Sequence, residues 1–563
     1  MRVRWQGLAV AIVVACGSLA GAEDSSTLKL DLRRRTETSP GSGRYHTLTE
    51  RGVAWDARQT AIIVCDMWDA HHCLNAVRRV HELAPRMNQV LHAARDRGAL
   101  IIHAPSGCME AYANRPGRQL AKSAPTAGNL PGEIGQWCRQ IPNEDRGAYP
   151  LDQRAGGEDD DPVEHRQWHD YLASTGRNPK APWKAQFAAL EIDDAKDAIS
   201  DSGVEIWNLL EQRGIKNVIL LGVHTNMCVL GRPFGLRQLA KNGKHVVLMR
   251  DMTDTMYDPT KWPYVSHFTG TDLIVEHIEK FICPTVASGD LLGDRREFRF
   301  SGDRRPQLAL LVAEDEYKTE ESLPKFAAQY LGRDYRASFI FGSDTDRHDI
   351  PGIEALDLAD ALLVSVRRRP LPATQLDHVR RFVAAGRPAI GIRTASHAFA
   401  PPAGKPLGND LAQGGDLAQG GLAQWADFDQ QVWGGNYVNH HANDLHPRVA
   451  VAAGSERHAV LAGISLQQYV SPGSLYKVSP LLPGTQPLLL GTVPGFASEP
   501  VAWTRVRADG GRSFYTSLGH VGDFSQPAFC RLLYNGINWA CGVSGTPPSH
   551  EWTATMPDLA EKK

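Results

Sequence analysis

This sequence lacks an excess of charge of either sign. Its 563 residues carry 61 lysines and arginines against 63 aspartates and glutamates, which leaves a formal net charge of -2. Proteins that bind nucleic acid present a clustered basic face, and no such cluster is visible in the sequence. There is therefore no electrostatic case for a nucleic-acid partner.

Long apolar runs are also scarce. A membrane-spanning helix needs about 20 consecutive apolar residues, and no stretch after residue 22 approaches that length. We therefore predict no transmembrane segment.

The first 22 residues have the pattern of a signal peptide. Arg2 and Arg4 precede the short apolar run 8–15, and Ala20-Gly21-Ala22 offers a cleavage site with small residues. Residues 13–16 also resemble a bacterial lipoprotein box that ends at Cys16. We expect export to the periplasm or the extracellular space, with soluble release and lipid anchoring through Cys16 both open.

A zinc pattern of paired CxxC motifs is missing among the nine cysteines. Disulfides are possible in an exported chain, but the spacing does not reveal any pairing. Two other groups carry ligand-type side chains, namely His165 and His169 beside the acidic run 158–161, and the segment Asp69-Ala70-His71-His72. Charge runs usually form solvated surface, and adjacent residues face different ways on regular structure, so we predict no metal and no cofactor.

The length is too great for one hydrophobic core. Alternating strand and helix patterns predict two doubly wound parallel α/β domains at 55–284 and 306–545, joined by a charged linker at 285–305. Residues 104 to about 182 look irregular, which indicates either a functional or a flexible insertion. Predicted strands are 61–65, 99–103, 187–192, 217–222, 245–249, 308–313, 361–365, 389–392 and 514–516. Predicted helices are 74–97, 203–213, 228–242, 271–282, 320–331, 375–385 and 527–539.

The motif Gly222-Val223-His224-Thr225-Asn226-Met227-Cys228 follows a buried strand and precedes a predicted helix. Thr225 or Asn226 is a suitable N-cap, which puts Cys228 in the first helical turn. The helix dipole there favours thiolate over thiol and so favours a nucleophile. The alternative is a buried structural cysteine.

Asp66 follows the apolar strand 61–65 directly. In a parallel sheet the carboxyl ends of the strands share one edge, so Asp66 and Cys228 are expected to meet there. A carboxylate beside a thiol can accept its proton as a general base. An aspartate after a strand can equally be a helix cap.

Residues 62–66 and 222–229 together resemble the isochorismatase-like cysteine hydrolase family, which includes nicotinamidases, N-carbamoylsarcosine amidohydrolases and isochorismatases. The resemblance covers about 55–285. It implies a doubly wound parallel sheet, an Asp–Lys–Cys triad and a non-proline cis peptide before His224. It also implies an oxyanion hole of backbone N–H groups near His224 and Cys228, so we predict His224 and Thr225 as substrate-binding residues.

By this resemblance Asp66, Lys196 and Cys228 are the predicted catalytic residues. Lys196 is the closest match to the family's lysine, and Lys184 is a second candidate. Neither stands in the usual Lys-x-x-x-Ser-x-Phe context, and lysines are mostly exposed surface residues, so it stays open which lysine completes the triad, or whether either does.

The second half resembles the trehalose-utilisation (ThuA-like) family over about 306–545. The residues that carry this resemblance are Ser513–His520, Gly536–Ala540, Gly434–Tyr437 and His440. The family is similar in fold to class I glutamine amidotransferases, yet the strand 389–392 leads into a turn without a cysteine, so cysteine chemistry is not expected there. Two interpretations stay open for four polar residues of this half. They either line a pocket for a polyol or an anion, or they are structural polar residues; they are Arg393, His397, His440 and His520.

We predict an exported hydrolase that cleaves the C–N bond of an amide in a small molecule, with an ether-type bond as the less favoured option. A carbohydrate-related substrate is one of the open choices. A different class of protein, a non-catalytic carbohydrate- or partner-binding protein with two α/β domains, is the alternative. A third reading has the second domain delivering the enzyme to glycans. The substrate and any homo-oligomeric state are left open.

Overall fold

The computed structural model describes residues 26–294, 296–402 and 421–544. The predicted signal peptide 1–22 and Cys16 lie outside these residues. Among the helices that the structure does describe, none combines the length and the apolar character that crossing a bilayer requires.

The first sheet has eight strands in the order β2-β1-β8-β7-β6-β3-β4-β5. These are β1 Thr27–Glu37, β2 Tyr45–Asp56, β3 Thr60–Cys65, β4 Leu100–Ala104, β5 Ala198–Ile199, β6 Asn217–Val223, β7 His245–Asp254 and β8 Thr285–Val286. Strands β3 to β8 run parallel, whereas β1 and β2 are antiparallel. The helices are α1 Leu74–Asp96, α2 Pro116–Lys122, α3 Pro162–Ser174, α4 Gly203–Gln212, α5 Leu236–Lys241, α6 His267–Phe281 and α7 Ser288–Leu292.

The second large sheet has the order β10-β9-β11-β13-β20-β19-β18-β16. Its strands are β9 Gln307–Ala313, β10 Arg336–Phe341, β11 Ala361–Val366, β13 Ala389–Ile392, β16 Arg448–Val451, β18 Thr485–Thr492, β19 Glu499–Val506 and β20 Arg512–Thr516. Short pairs form from β12 Leu371–Pro372 with β14 Leu422–Ala423, and from β15 Asn439–His440 with β17 Tyr476–Lys477. The helices are α8 Thr319–Phe326, α9 Ala373–Ala384 and α10 Pro527–Cys541.

Both large sheets are mostly parallel, which confirms the predicted fold class. The runs 61–65, 100–104 and 217–223 are buried along their whole length. Strands covered on both faces need such continuous apolar sequence, because every side chain meets the core. These are the elements that the sequence pattern identified well.

Strands β1, β2 and β8 and helix α7 lie in segments where no strand or helix was predicted. The polar segment before residue 59 forms the hairpin of β1 and β2, most of whose side chains are only partly buried. Strand β8 and helix α7 lie inside the predicted linker and pack on the first sheet. Strands β1 and β2 carry no continuous apolar run because many of their side chains are exposed to solvent, and β8 has only two residues, too few to form a pattern.

The predicted strand at 187–192 is wrong. That segment is irregular, and its position at the sheet edge is taken by the two-residue strand β5. The predicted helix 228–242 is also wrong in extent, since a turn of π-helix at Thr225–Val229 is separated from α5 by a break that contains Pro233. Proline removes a backbone donor and interrupts a helix.

The insertion 104–182 contains α2 and α3 and is fixed to the body of the first domain. The Glu144 carboxylate accepts hydrogen bonds from Arg237 at 2.7 and 2.8 Å and from His277 Nε2 at 2.9 Å. Burial alone would raise the pKa of Glu144, but the hydrogen bonds from His277 and Arg237 lower it to about 2. The ionised carboxylate therefore stabilises the folded state.

We expect Glu144→Gln to destabilise the protein by about 3–5 kcal/mol at pH 7, because it leaves the buried Arg237 cation without its counter-charge. Since folding lowers the pKa of Glu144 from an ordinary 4.5 to about 2, its contribution is complete above pH 4.5 and is lost as the pH falls towards 2. Urea unfolding at pH 7 and pH 3 measures both effects.

The matched control is Glu133→Gln. Glu133 also pairs with a basic residue, Lys241 at 2.6 Å, but its side chain is 67% exposed, and water and salt screen such surface pairs so that they contribute little to stability. Equal losses for the two variants would show that the buried cluster does not fix the insertion.

Candidate active site

Asp66 and Cys228 lie together at the carboxyl edge of the first sheet. Asp66 follows β3, Cys228 lies in the π-helical turn after β6, and these two strands are neighbours. Both side chains are buried, with 0% and 7% exposed. They are close enough that each shifts the pKa of the other.

Gly222 allows this arrangement. Its φ is +104°, and a Cβ at this position would lie 2.1 Å from the carbonyl oxygen of Cys65. Only glycine tolerates both the backbone angle and the contact. The end of β6 can therefore approach β3 closely enough to bring the turn with Cys228 over Asp66.

The turn is held by hydrogen bonds to β7 and to the segment that follows β7. Thr225 Oγ1 is 2.7 Å from Thr253 Oγ1, and Asn226 exchanges two hydrogen bonds with the backbone of Met256 at 2.8 and 3.0 Å. The residue that precedes the turn is His224, and its side chain makes no capping bond. The predicted cap at Thr225 or Asn226 is thus wrong, and the Thr225 hydroxyl is engaged with Thr253. The peptide before His224 is cis, as the resemblance implied.

Arg232 supplies a cation that the sequence analysis missed. Its Nε donates to Asp66 Oδ2 at 3.0 Å, while the Ser106 N–H donates to Oδ1 at 2.7 Å. Its guanidinium lies 4.9 Å from the ring centre of Trp137 in the insertion. Cys228 and Arg232 are four residues apart, but this spacing alone does not place the arginine beside Asp66, from which it is separated by 166 residues.

The structure does not bring Lys196 to this site. Its side chain is 58% exposed, and its Nζ is 3.8 Å from Asp193. Lys196 precedes β5, so it lies towards the amino end of a parallel strand, whereas Asp66 and Cys228 lie at the carboxyl end of theirs. Lys184 is also exposed, with its Nζ 3.5 Å from the carbonyl oxygen of Gly176.

The Cys228 thiol is not predisposed to ionise, contrary to the expectation from a helix dipole. Burial raises its pKa, and the Asp66 carboxylate raises it further, while Arg232 opposes the change. Burial also raises the pKa of Asp66, again against the charge of Arg232. A five-residue π turn lacks the long run of aligned peptides that gives a helix its dipole.

Neutral imidazole and indole rings pack beside the turn that carries Cys228. Burial lowers the pKa of His224 to about 3, and its Nε2 has no hydrogen-bond partner among the described residues. Its ring centre is 4.8 Å from that of His71, which in turn stacks with Trp68 and Trp183 at 6.0 and 5.9 Å. The two tryptophans stack on each other at 4.4 Å.

A group of possible metal ligands lies beside α1, where Cys73, Asp159 and Asp160 have ligand atoms within 4.8 Å of one another. Asp160 accepts the N–H groups of residues 74 and 75 at 2.8 and 2.7 Å, and also contacts His165 at 3.0 Å. Asp159 accepts two hydrogen bonds from Arg79 at 2.9 Å. These carboxylates thus cap α1 and neutralise an arginine, and His169 is exposed and contacts Asp170. We derive no metal chemistry from this group.

The polar residues singled out in the second half lie at the carboxyl edge of the second sheet. Arg393 is 2% exposed directly after β13. His397 stacks on Tyr437 at 4.5 Å, and His520 lies 5.6 Å from the Tyr317 ring. His440 bonds the carbonyl of the next residue at 2.6 Å.

Comparison with known proteins supports the assignment of the second half, since a family model described as trehalose utilisation (ThuA) matches residues 309–540. Putative ThuA-like proteins from Bacteroides uniformis and Parabacteroides merdae are similar solved structures. The first is 14% identical with a TM-score of 0.30, and the match covers 43% of this chain and 95% of that protein. The second is 15% identical with a TM-score of 0.32, and the match covers 44% of this chain and 94% of that protein. A cysteine hydrolase from Pseudomonas syringae pv. phaseolicola is 15% identical with a TM-score of 0.26, covering 43% of this chain and 93% of its own. Among curated proteins there is no match.

We expect Asp66→Asn to lower the pH at which Cys228 reacts with iodoacetamide, because it removes the negative charge that opposes the thiolate. Arg232→Gln should move the midpoint the opposite way. Mass spectrometry of the peptide that contains Cys228, after timed labelling between pH 6 and 11, measures the midpoint for this thiol alone.

Lys196→Ala is the control and should leave that midpoint unchanged, since its amine pairs with Asp193 at the surface. If the midpoint in Asp66→Asn equals that of the unmodified protein, the carboxylate and the thiol are not coupled.

Proposed function

We propose that the first domain hydrolyses an amide or a related C–N bond of a small molecule, with Cys228 as nucleophile and Asp66 as general base. Arg232 takes the place that the family resemblance assigned to Lys196. The observation that carries the proposal is the buried Asp66 carboxylate, fixed by Arg232 and the Ser106 N–H and lying against the Cys228 thiol.

The first half-reaction transfers the acyl group to sulfur. As the Cys228 sulfur attacks the carbonyl carbon, Asp66 takes the thiol proton, and the carbonyl oxygen gains the negative charge. Backbone N–H groups near His224 and Cys228 would stabilise this oxyanion. Collapse of the intermediate breaks the C–N bond, and the protonated Asp66 gives its proton to the departing nitrogen.

The second half-reaction returns the enzyme to its initial state. Asp66, again a carboxylate, takes a proton from a water molecule whose oxygen attacks the thioester carbon. The C–S bond breaks, the acid product leaves, and the proton on Asp66 returns to the Cys228 sulfur. Arg232 holds the carboxylate in one orientation through both steps, and its positive charge lowers the energy of the transient thiolate.

We also propose that the protein is exported. The support for export is the signal-peptide pattern of residues 1–22, in which two arginines precede a short apolar run and a site with small residues. Each of the eight cysteines in the described residues is a free thiol, and all but one are buried. The described part of the fold thus does not draw on disulfides, whichever side of the membrane it occupies.

Cys228→Ala should lower hydrolysis by at least about 10³-fold, as loss of a nucleophile does in other hydrolases. We would measure ammonia release from a panel of small carboxamides and N-carbamoyl compounds, and nitrophenol release from activated esters. Acid quenching during turnover should show the acyl mass on the Cys228 peptide, because the thioester is an obligatory intermediate.

Arg232→Met should lower the rate by about 10²-fold, with Arg232→Lys falling between it and the unmodified enzyme. Lys196→Ala is the matched control, since it removes a cation from the surface, and it should retain full activity. Undiminished hydrolysis by Cys228→Ala would refute the proposal. No turnover and no adduct across the panel would favour the non-catalytic binding protein.

A further inference from the structure

A second cluster of charged and aromatic side chains lies at the carboxyl edge of the second sheet, and the proposed hydrolysis does not use it. Strands β9, β11, β13 and β20 run parallel. The residues that follow them therefore meet at one edge, which is where open α/β sheets bind ligands. Those residues include Tyr317, Arg368, Arg393 and His520.

Arg393 is a buried cation whose hydrogen bonds all go to uncharged oxygens. Nη1 donates to the Ser517 carbonyl at 2.8 Å, and Nη2 donates to the Tyr317 hydroxyl at 3.2 Å and to Ser474 Oγ at 3.3 Å. Nε is buried and has no partner among the described residues. A buried charge that is not paired is costly, so this arrangement suits a site that a ligand completes.

The acidic residues around Arg393 are committed elsewhere. The Asp523 carboxylate accepts hydrogen bonds from Tyr469 at 2.8 Å and Ser471 at 3.1 Å, and from two backbone N–H groups at 2.9 Å. Glu316 forms an ion pair with Arg367 at 2.6 Å. Neither carboxylate forms a direct ion pair with Arg393 in the described part of the chain, and Asp523 acts on it only from a distance, as one of several groups that raise the pKa of Arg393 against the effect of burial.

Arg368 adds a second positive charge to the same edge. It has a φ of +49°, and its N–H donates to the His397 carbonyl at 3.0 Å. Burial, followed by the charges of Arg368, Arg367 and Arg393, lowers the pKa of His397 well below its ordinary value. Arg367 has acidic partners, whereas no ion pair of Arg368 is present in the described part of the chain.

Aromatic faces surround these cations. The Arg393 guanidinium carbon lies 4.2 Å from the ring centre of Tyr317 and 4.8 Å from that of Tyr476. Tyr437 packs against Tyr476 at 4.5 Å. Because Tyr317 and Tyr437 are only half-buried, the cluster can be reached from solvent. Tyrosine rings and hydroxyl groups suit the C–H and O–H groups of a polyol.

We infer that this edge of the second sheet binds a small polyhydroxylated anion, such as a sugar acid or a sugar phosphate. The oxyanion would supply the direct negative partner that Arg393 and Arg368 lack among the described residues, and the tyrosines would contact its carbon skeleton. A charge-assisted hydrogen bond to Nε would complete the donor set of Arg393.

Isothermal titration calorimetry of the full chain tests this with D-glucuronate, D-glucose 6-phosphate and the uncharged D-glucose. The site should bind at least one anion at least tenfold more tightly than glucose, and added salt should weaken the binding. Comparison of glucuronate with glucose 6-phosphate shows whether carboxylate or phosphate is preferred.

Arg393→Lys and Arg368→Gln should each weaken anion binding about tenfold or more. Arg368→Gln keeps the test decisive if changing the buried Arg393 impairs folding, and Arg380→Gln, at an exposed ion pair on α9, should have no effect. The inference is overturned if neither anion binds, if glucose binds as tightly as the anions, or if Arg368→Gln binds like the unmodified protein.

Discussion

The ion pair between Asp66 and Arg232 is the interaction on which the first site depends. A buried carboxylate without a cation takes up a proton, and a protonated Asp66 could not accept the proton of Cys228. Arg232 opposes that change, and Trp137 from the insertion lies over its guanidinium. The insertion 104–182 therefore does more than cover the sheet, because the protonation state of the base depends on its position.

Much of the fold could be predicted from local sequence. The fully buried strands carry unbroken apolar runs, and Gly98, with a φ of +97°, lies just beyond the end of α1. The hairpin β1–β2 could not be identified in this way, because its half-exposed strands contain many arginines and threonines. Strand β5 has only two residues, too few for any periodicity.

Local sequence likewise predicts some residues of the candidate site and not others. Asp66 and Cys228 each follow a buried strand, and parallel topology alone brings such positions to one edge. Arg232 depends instead on a contact that spans 166 residues of sequence, and no local pattern encodes it. Lys196 matches the family's lysine only if the strand that precedes it is the predicted strand 187–192. Once β5 takes that role, the lysine lies before the strand and not after it.

Arg232 and Arg393 occupy comparable places, each at the carboxyl edge of a mostly parallel sheet, but they differ in their partners. Arg232 has a carboxylate at 3.0 Å, so its charge is balanced, and in the proposed hydrolysis it orients the base. Arg393 has aromatic faces and neutral oxygens. Cation–π contacts are worth about 0.5–2 kcal/mol each, which offsets only part of the cost of burying a guanidinium. The remaining cost is recovered when an anion binds, so the two edges are suited to different tasks, chemistry at one and recognition at the other.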